Sequence, residues 1–183
     1  EANYHMFWKS LRTLLDENVS ACARLDALRE GFVDTMSKEL DAMWAKKLGL
    51  IEYDEPLLME LLQLMIACKA DYNMFFRRLS EIPEHIDALR ESFYAPSSEQ
   101  LDQQLSSWLQ RWRSRLENQG ELSETSAAMK RANPRYAWRE WLIAPAYTQA
   151  EQGEYSLIKE LHSVLCNPYE EQSPEVQAKH DQL

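Results

Sequence analysis

Apolar side chains recur every three or four residues along most of this chain, and this spacing constrains the fold more than any other feature. A clear example is the stripe of Leu101, Leu105, Trp108, Leu109, Trp112 and Leu116. Such spacing places apolar side chains on one face of an α-helix. Only 4 of the 183 residues are glycine, so few positions can adopt the positive φ angles of tight hairpins. We therefore predict an all-α protein, an irregular multi-helix bundle of about 7–9 helices.

Capping signals divide the first half of the chain into helices. An apolar stripe runs from Val19 to Trp44, and Gly31 within it indicates a close helix crossing or a break. Gly49 suits the left-handed position that follows a helix. Asp54 is a good N-cap for a helix that is apolar nearly all round, and Asp71 opens or continues a further helix. We expect the helix after Asp54 to be central.

The second half carries similar signals. Ser97, with Gln100 three residues later, predicts a capping box. Asn133 followed by Pro134 predicts the start of another helix, and Pro145 predicts a kink or an end. The polar tail from Glu170 is expected to be loose.

The chain is long enough for one domain with a sizeable core or for two small ones. The best linker candidate is the stretch 96–99. We therefore predict a helical segment at 1–95 and a helical extension at 96–183 packed on it, with one single domain as the alternative.

Charge is unevenly distributed along the chain, whose formal net charge is −10. Residues 1–107 carry 11 basic and 19 acidic side chains, residues 108–139 carry 7 and 3, and residues 140–183 carry 2 and 8. An acidic protein repels phosphate groups, so we do not expect a nucleic-acid partner. The basic middle is the exception.

Cysteine usage and hydropathy favour a cytoplasmic protein. The three cysteines, Cys22, Cys68 and Cys166, are widely separated and odd in number, which predicts free, buried thiols in a reducing compartment. No apolar run is long enough for a membrane helix, and no signal peptide is visible. The chain begins without Met, which suggests an excised fragment.

No motif for catalysis, metal binding or phosphate binding is present. The four histidines are His5, His85, His162 and His180. Only His162 has a second His or Cys at helical spacing, Cys166, and two ligands are too few for zinc. Nucleophile elbows, Gly-rich loops and kinase motifs are missing. We therefore predict no catalytic, cofactor-binding or metal residue in this chain.

Arginine and tryptophan are interleaved in the basic middle, which we call the basic aromatic region (residues 108–139). Its members are Trp108, Arg111, Trp112, Arg113, Arg115, Lys130, Arg131, Arg135 and Arg139. Such a pattern can bind single-stranded nucleic acid. It also arises when tryptophans face the core and arginines pair with acidic helices. The acidic flanks favour the second interpretation.

Several motifs together resemble one known family. In chain order they are AKKLGL (45–50), Asp54 with leucine pairs at 57–58 and 61–62, ADYNMFFRRLS (70–80), WRSRL (112–116), ANPRY (132–136) with Arg139, AEQGEY (150–155) and NPYEEQ (167–172). Over about residues 40–172 this arrangement resembles the C-terminal part of the selenoprotein O (SelO) family. Residues 1–39 fit less clearly.

That resemblance implies a parent protein with a kinase-like (pseudokinase) fold. Residues 1–95 would then resemble the end of its helical C-lobe, and residues 96–183 would be the family's helical extension. Such proteins bind ATP in an inverted orientation and, with Mg²⁺, transfer AMP to Ser, Thr or Tyr hydroxyls of other proteins. The family's ATP- and metal-binding residues would precede this chain, so its cofactors, ATP and Mg²⁺, belong to the parent. The implied partners are the missing N-terminal kinase-like lobe and the parent's protein substrates. The Cys- or selenocysteine-bearing tail common in the family has no counterpart after Cys166.

Two functions are therefore carried forward. In the first, the chain supports the catalytic lobe of a SelO-like protein adenylyltransferase and by itself neither binds ATP nor transfers AMP. In the second, it is a free-standing helical module that binds protein or RNA through the basic aromatic region.

Overall fold

The computed structural model describes residues 2–15 and 18–180, except the side chain of His180. Ten α-helices, named α1 to α10 in chain order, cover Ala2–Thr13, Val19–Glu30, Phe32–Leu48, Glu55–Ala67, Tyr72–Leu79, Glu99–Glu117, Leu122–Ala132, Glu140–Glu151, Ser156–Cys166 and Pro174–His180. A 3-10 helix at Ile86–Ser92 lies between α5 and α6. Over the described ranges the only strand-like pairing is an isolated bridge between Ala70 and Phe93. The all-α prediction is confirmed, and the helix count is close to the predicted one.

Local capping chemistry sets the boundaries of the central helices as predicted. The Asp54 carboxylate accepts a hydrogen bond from Leu57 N at 2.9 Å, and the Asp71 carboxylate accepts one from Met74 N at 2.9 Å. The break at Gly31 separates α2 from α3. The side chains of Asp54 and Asp71 each satisfy a backbone N–H that the helix geometry leaves without a partner.

Gly49 follows α3 with φ +68°, and a Cβ at this position would lie 2.7 Å from both Met129 Sδ and Thr125 Cγ2. We expect Gly49→Ala to lower the free energy of unfolding by about 2 kcal/mol, because it adds a clash to the left-handed strain. Gly153→Ala is the matched control, since Gly153 has φ +83° with no atom within 4 Å of the added Cβ. Urea denaturation of both variants separates the clash from the strain. Equal losses would contradict the close approach at Gly49.

The first compact unit covers residues 1–43 and contains α1, α2 and most of α3. Tyr4 stacks on Phe32 with ring centroids 3.8 Å apart, and Trp8 Nε1 donates to Asp26 at 3.1 Å. Cys22 is the one buried apolar residue among the described residues of this unit. Most of the apolar stripe between Val19 and Met43 is therefore exposed.

The second compact unit covers residues 44–183 and holds the main core. Helix α4 is central, as predicted: its buried residues are Leu57, Leu58, Leu61, Leu64 and Met65. Helix α6 packs on α4 through its apolar stripe, and both join a core cluster that extends from Ala45 to Met129. This cluster includes residues on both sides of the stretch 96–99. The predicted division at 95/96, with a single domain as its alternative, stays a prediction.

Two predicted helix starts are wrong in detail. Asn133 does not begin a helix; it is the C-cap of α7, and α8 begins only at Glu140. The reason is that the Asn133 side chain is buried among distant partners instead of capping its own segment. Helix α6 is capped by Ser98 instead of Ser97, because Ser98 Oγ accepts from Leu101 N at 3.3 Å.

The C-terminal region also departs from expectation. The tail is not entirely loose, since α10 forms at Pro174–His180. Of the two outcomes predicted at Pro145, the helix end is excluded because α8 continues through it to Glu151, and the kink stays a prediction. Cys22 and Cys68 are buried and free as predicted, but Cys166 is free and exposed at the end of α9. No helix within 2–15 and 18–180 combines the length and apolar character required to cross a membrane.

Candidate functional site

Two of the three tryptophans of the basic aromatic region face the core, and the third, Trp138, is exposed. Trp108 and Trp112 are fully buried and stack with ring centroids 5.7 Å apart. Trp108 Nε1 donates to Leu57 O at 2.9 Å, and Trp112 Nε1 donates to Leu48 O at 2.8 Å. Neither ring is available to stack on a base, which is what single-strand binding requires.

The arginines of α6 lie on its outer side and pair with carboxylates from other segments. Arg111 contacts Glu60 at 2.5 Å, and Arg115 pairs with Asp54 at the start of α4. Arg113 donates to Ile82 O and lies 3.6 Å from Glu117. The predicted arrangement, tryptophans inward and arginines paired with acidic side chains, is therefore confirmed for α6.

The Asn-Pro step of the same region joins three segments of the chain. The Asn133 side chain is fully buried, and its Nδ2 donates to Lys47 O at 2.9 Å and to Ser80 Oγ at 3.0 Å. These partners are the C-terminal ends of α3 and α5. The buried amide thus supplies hydrogen bonds to groups that would otherwise be left without donors.

Arg77 extends this junction to the C-terminal segment. Its guanidinium is buried and donates to Lys130 O at 2.9 Å and to Asn133 O at 3.1 Å, two carbonyls at the end of α7. It also donates to Glu171 at 2.6 Å, and Arg135 pairs with the same carboxylate. Burial alone would raise the pKa of Glu171, but the Arg77 hydrogen bond and the charge of Arg135 outweigh it and lower that pKa. A charged guanidinium suits a helix C-terminus because the helix dipole is negative there.

A second ion pair fixes the other end of the region. Arg139 donates to the two carboxylate oxygens of Asp71 at 2.6 and 2.8 Å, and Tyr94 donates to the same carboxylate at 2.7 Å. Burial opposes ionisation, yet the hydrogen bonds from Arg139, Met74 N and Tyr94 lower the pKa of Asp71 to about 2. Because Asp71 also caps α5, this cluster ties the segment before α8 to the central helices.

Both ionic clusters are structural in their geometry. In the second cluster Asp71 balances Arg139, whereas in the first Arg77 and Arg135 share the Glu171 carboxylate. The cavity beside Arg77 measures about 100 Å³ and is lined by Met74, Arg77, Arg78, Glu81 and Arg135. Cavities that bind cofactor-sized ligands are several times larger. The arrangement can hold helices together but leaves little space for a substrate.

A larger groove lies between α4 and α6 and has a volume of about 590 Å³. Its polar lining consists of amide and hydroxyl side chains with Glu60 as the charged member, and it contains no cation. Triphosphate binding relies on Lys, Arg or a metal ion to balance charge. That the chain binds no ATP stays a prediction.

The histidines whose side chains are described, His5, His85 and His162, do not assemble into a metal site. His162 lies 3.7 Å from Cys166 through Nε2, so the helical spacing brings these two together as expected. Across the described residues no group of three His, Cys, Asp or Glu side chains could hold a metal ion. The side chain of His180 lies outside them.

Comparison with known proteins places the whole arrangement in a family. The family model described as "Protein adenylyltransferase SelO" matches residues 1–166. Proteins named "Protein nucleotidyltransferase YdiU" are similar to this chain in Bradyrhizobium sp. strain BTAi1 (35% identity over 164 residues) and in Pseudomonas aeruginosa strain LESB58 (40% over 139 residues).

The chain belongs to the SelO family. The alignments cover 86% and 73% of the chain, but only 32% and 27% of these two relatives. A Xanthomonas euvesicatoria relative is 42% identical over 70% of the chain and 26% of its own length. The chain thus spans between a quarter and a third of the length of the curated relatives it matches. The SelO match also includes residues 1–39, which the motifs alone placed less clearly.

The SelO-like motifs contain residues whose roles sequence reasoning missed. Arg77 lies in the FFRRLS motif, Asn133 in ANPRY and Glu171 in NPYEEQ, and the structure brings all three together. Arg139 and Asp71, from two further motif positions, form the second cluster. The sequence shows that some motifs carry arginines and others carry acidic residues. Their spacing could not identify which arginine contacts which carboxylate.

Most arginines of the basic aromatic region are paired with carboxylates, and this gives a test of the RNA-binding alternative. Arg111 and Arg113 are engaged with carboxylates, so we expect no salt-dependent binding of single-stranded RNA by the chain. The triple variant Arg111→Glu, Arg113→Glu, Arg131→Glu should behave identically in fluorescence anisotropy at low and moderate salt. If the unsubstituted 183-residue chain bound RNA and the triple variant did not, the result would support an RNA-binding module.

Proposed function

We propose that this chain is the helical C-terminal part of a SelO-family protein adenylyltransferase and that it supports the catalytic lobe without carrying the active site. The observation that carries the proposal is the family match over residues 1–166, combined with a chain that spans no more than about a third of its relatives. Most of each relative's sequence therefore lies outside the part that this chain covers.

The reaction proposed for the full-length protein is transfer of AMP from ATP to a Ser, Thr or Tyr hydroxyl of a protein substrate. The hydroxyl oxygen forms a bond to the α-phosphorus, the bond to the β-phosphate breaks, and pyrophosphate leaves. This chemistry depends on positioning of the phosphates and on charge neutralisation by the metal. The residues that hold ATP and Mg²⁺ would lie outside this chain. We also propose a cytoplasmic location for the full-length protein, in keeping with its free cysteines.

The two ionic clusters support a scaffolding role. Arg77 and Arg139 each join a helix of the central core to segments that lie far away in sequence, and both belong to SelO-like motifs. A motif residue that is buried and paired contributes to position and rigidity rather than to chemistry. The chain would then present a fixed surface to the catalytic lobe and to protein substrates.

The test is AMP transfer measured by mass spectrometry on a protein acceptor incubated with ATP and Mg²⁺. The full-length protein should add one AMP per modified hydroxyl, and the 183-residue chain alone should add none. A second sample, the full-length protein lacking this segment, should be strongly impaired. Transfer by the isolated chain, or no transfer by the full-length protein, would overturn the proposal.

A further inference from the structure

Helix α3 carries an apolar stripe that is exposed to solvent. Val33, Met36, Leu40 and Met43 are 54%, 42%, 47% and 39% exposed. All four lie in the first compact unit. A continuous row of exposed apolar side chains on a folded protein usually marks an interaction surface, whereas single exposed ones do not.

The spacing of this α3 stripe is that of a helix-packing seam. Its steps are three, four and three residues, the alternation that places apolar side chains along one line in a pair of nearly parallel or antiparallel helices. At 100° per residue, Asp34, Lys38 and Asp41 lie on the opposite side of the helix. The stripe is therefore bounded by polar residues, as a seam for a single partner helix would be.

The core contacts of α3 are on another side. Ala45 and Leu48 are buried and belong to the main core cluster. Their positions are rotated by well over a quarter of a turn from the line that joins Met36, Leu40 and Met43. Helix α3 thus has one side in the core and a second apolar side without a cover among the described residues.

The occupant follows from what lies outside the chain. The SelO match covers residues 1–166, so α3 lies inside the matched region, yet this chain spans 32% or less of the relatives named above. A helix tethered in the same polypeptide has an effective concentration near millimolar. It would outcompete a second copy of the chain at ordinary protein concentrations.

We propose that Val33, Met36, Leu40 and Met43 form the seam on which an amphipathic helix from the remaining part of the full-length protein packs. The inference rests on the proposed function, because it requires that this chain be one part of a longer SelO-family protein. The occupant must present apolar residues at the complementary three- and four-residue spacing. A polar helix would leave the four α3 side chains in contact with unpaired polar groups.

Thiol labelling measures the cover directly. Leu40→Cys places a thiol on the seam, and Lys38→Cys places one on the opposite side of the same helix turn. Each variant is prepared in the 183-residue chain and in the full-length protein, and circular dichroism checks its helical content. Maleimide labelling is then followed by mass spectrometry on the peptide that contains the new cysteine.

In the isolated chain, the cysteines at 38 and 40 should label at similar rates. In the full-length protein, labelling at 40 should be slower by about 100-fold or more, because reaction requires local opening of a packed seam. Labelling at 38 should be unchanged. Equal rates at 40 in both proteins would overturn the seam. Protection at 40 in the isolated chain that rises with concentration and accompanies a dimer would assign it to a second copy instead.

AMP transfer measured on the same full-length preparations separates this inference from the proposed function. Protection at 40 without AMP transfer would contradict the adenylyltransferase assignment and retain the seam. AMP transfer without protection at 40 would contradict the seam and retain the assignment.

Discussion

Replacing Trp112 with alanine is expected to lower the free energy of unfolding by about 3–5 kcal/mol. The indole projects from α6, is fully buried, stacks on Trp108, and donates to Leu48 O at the end of α3. Its removal leaves a cavity and an unpaired buried carbonyl. Because a typical domain is stable by only about 5–15 kcal/mol, the variant should unfold at much lower urea concentration in a titration followed by far-ultraviolet circular dichroism.

Trp138→Ala is the matched control, since the same side chain is removed from a position that is 69% exposed. We expect its effect to lie within about 0.5 kcal/mol. Trp112→Phe should fall between the two, because it keeps most of the apolar area and loses only the N–H. Similar stability of the Trp112→Ala and Trp138→Ala variants would mean that α6 does not face the core.

Replacing Asp71 with asparagine is expected to lower the free energy of unfolding by about 3 kcal/mol near neutral pH. Asparagine preserves the shape and can still cap α5. It removes the charge that balances the partly buried Arg139 guanidinium. Asp87→Asn is the control, because Asp87 pairs with Arg90 in an exposed ion pair that should contribute less than about 1 kcal/mol. Equal losses in the two variants, measured by urea denaturation, would contradict a structural role for the Asp71–Arg139 pair.

The same ion pair predicts a pH dependence. The pKa of Asp71 is about 2 in the folded chain, below its ordinary value of 3.8. A lowered pKa means that the stabilisation is fully present above the unfolded value and is lost as pH falls through the folded one. The difference in the free energy of unfolding between the unsubstituted 183-residue chain and its Asp71→Asn variant should therefore shrink as pH falls from about 4 to about 2. A difference that stays constant over this interval would show that Asp71 does not titrate with folding.

Local rules predicted those parts of the fold that depend on neighbouring residues. The caps at Asp54 and Asp71, the left-handed Gly49 and the buried face of α6 all follow from residues within a few positions of one another. Each such feature is set by backbone hydrogen bonding or by helical periodicity, which a short window of sequence contains.

Long-range partners decided the rest. Asn133 has the local signature of an N-cap, but its side chain bonds to Lys47 and Ser80, which are 86 and 53 positions away. Arg77 meets Glu171 at a separation of 94 positions. No local pattern identifies such partners. The exposed stripe on α3 was likewise visible as a periodicity, but the sequence could not tell a covered face from an uncovered one.

The basic aromatic region thereby acquires a different interpretation from a binding patch. Trp108 and Trp112 are core residues, and the charges of the region contact α4, α5, α7 and the C-terminal segment. The SelO-like motifs within it are explained by these contacts without any reacting group.

The most direct test of this account is calorimetric titration of the 183-residue chain with ATP in the presence of Mg²⁺. The account predicts no saturable heat from the isolated chain, and micromolar binding by the full-length protein under the same conditions. Micromolar ATP–Mg²⁺ binding by the 183-residue chain itself would contradict the assignment of this chain as a supporting part without a nucleotide site.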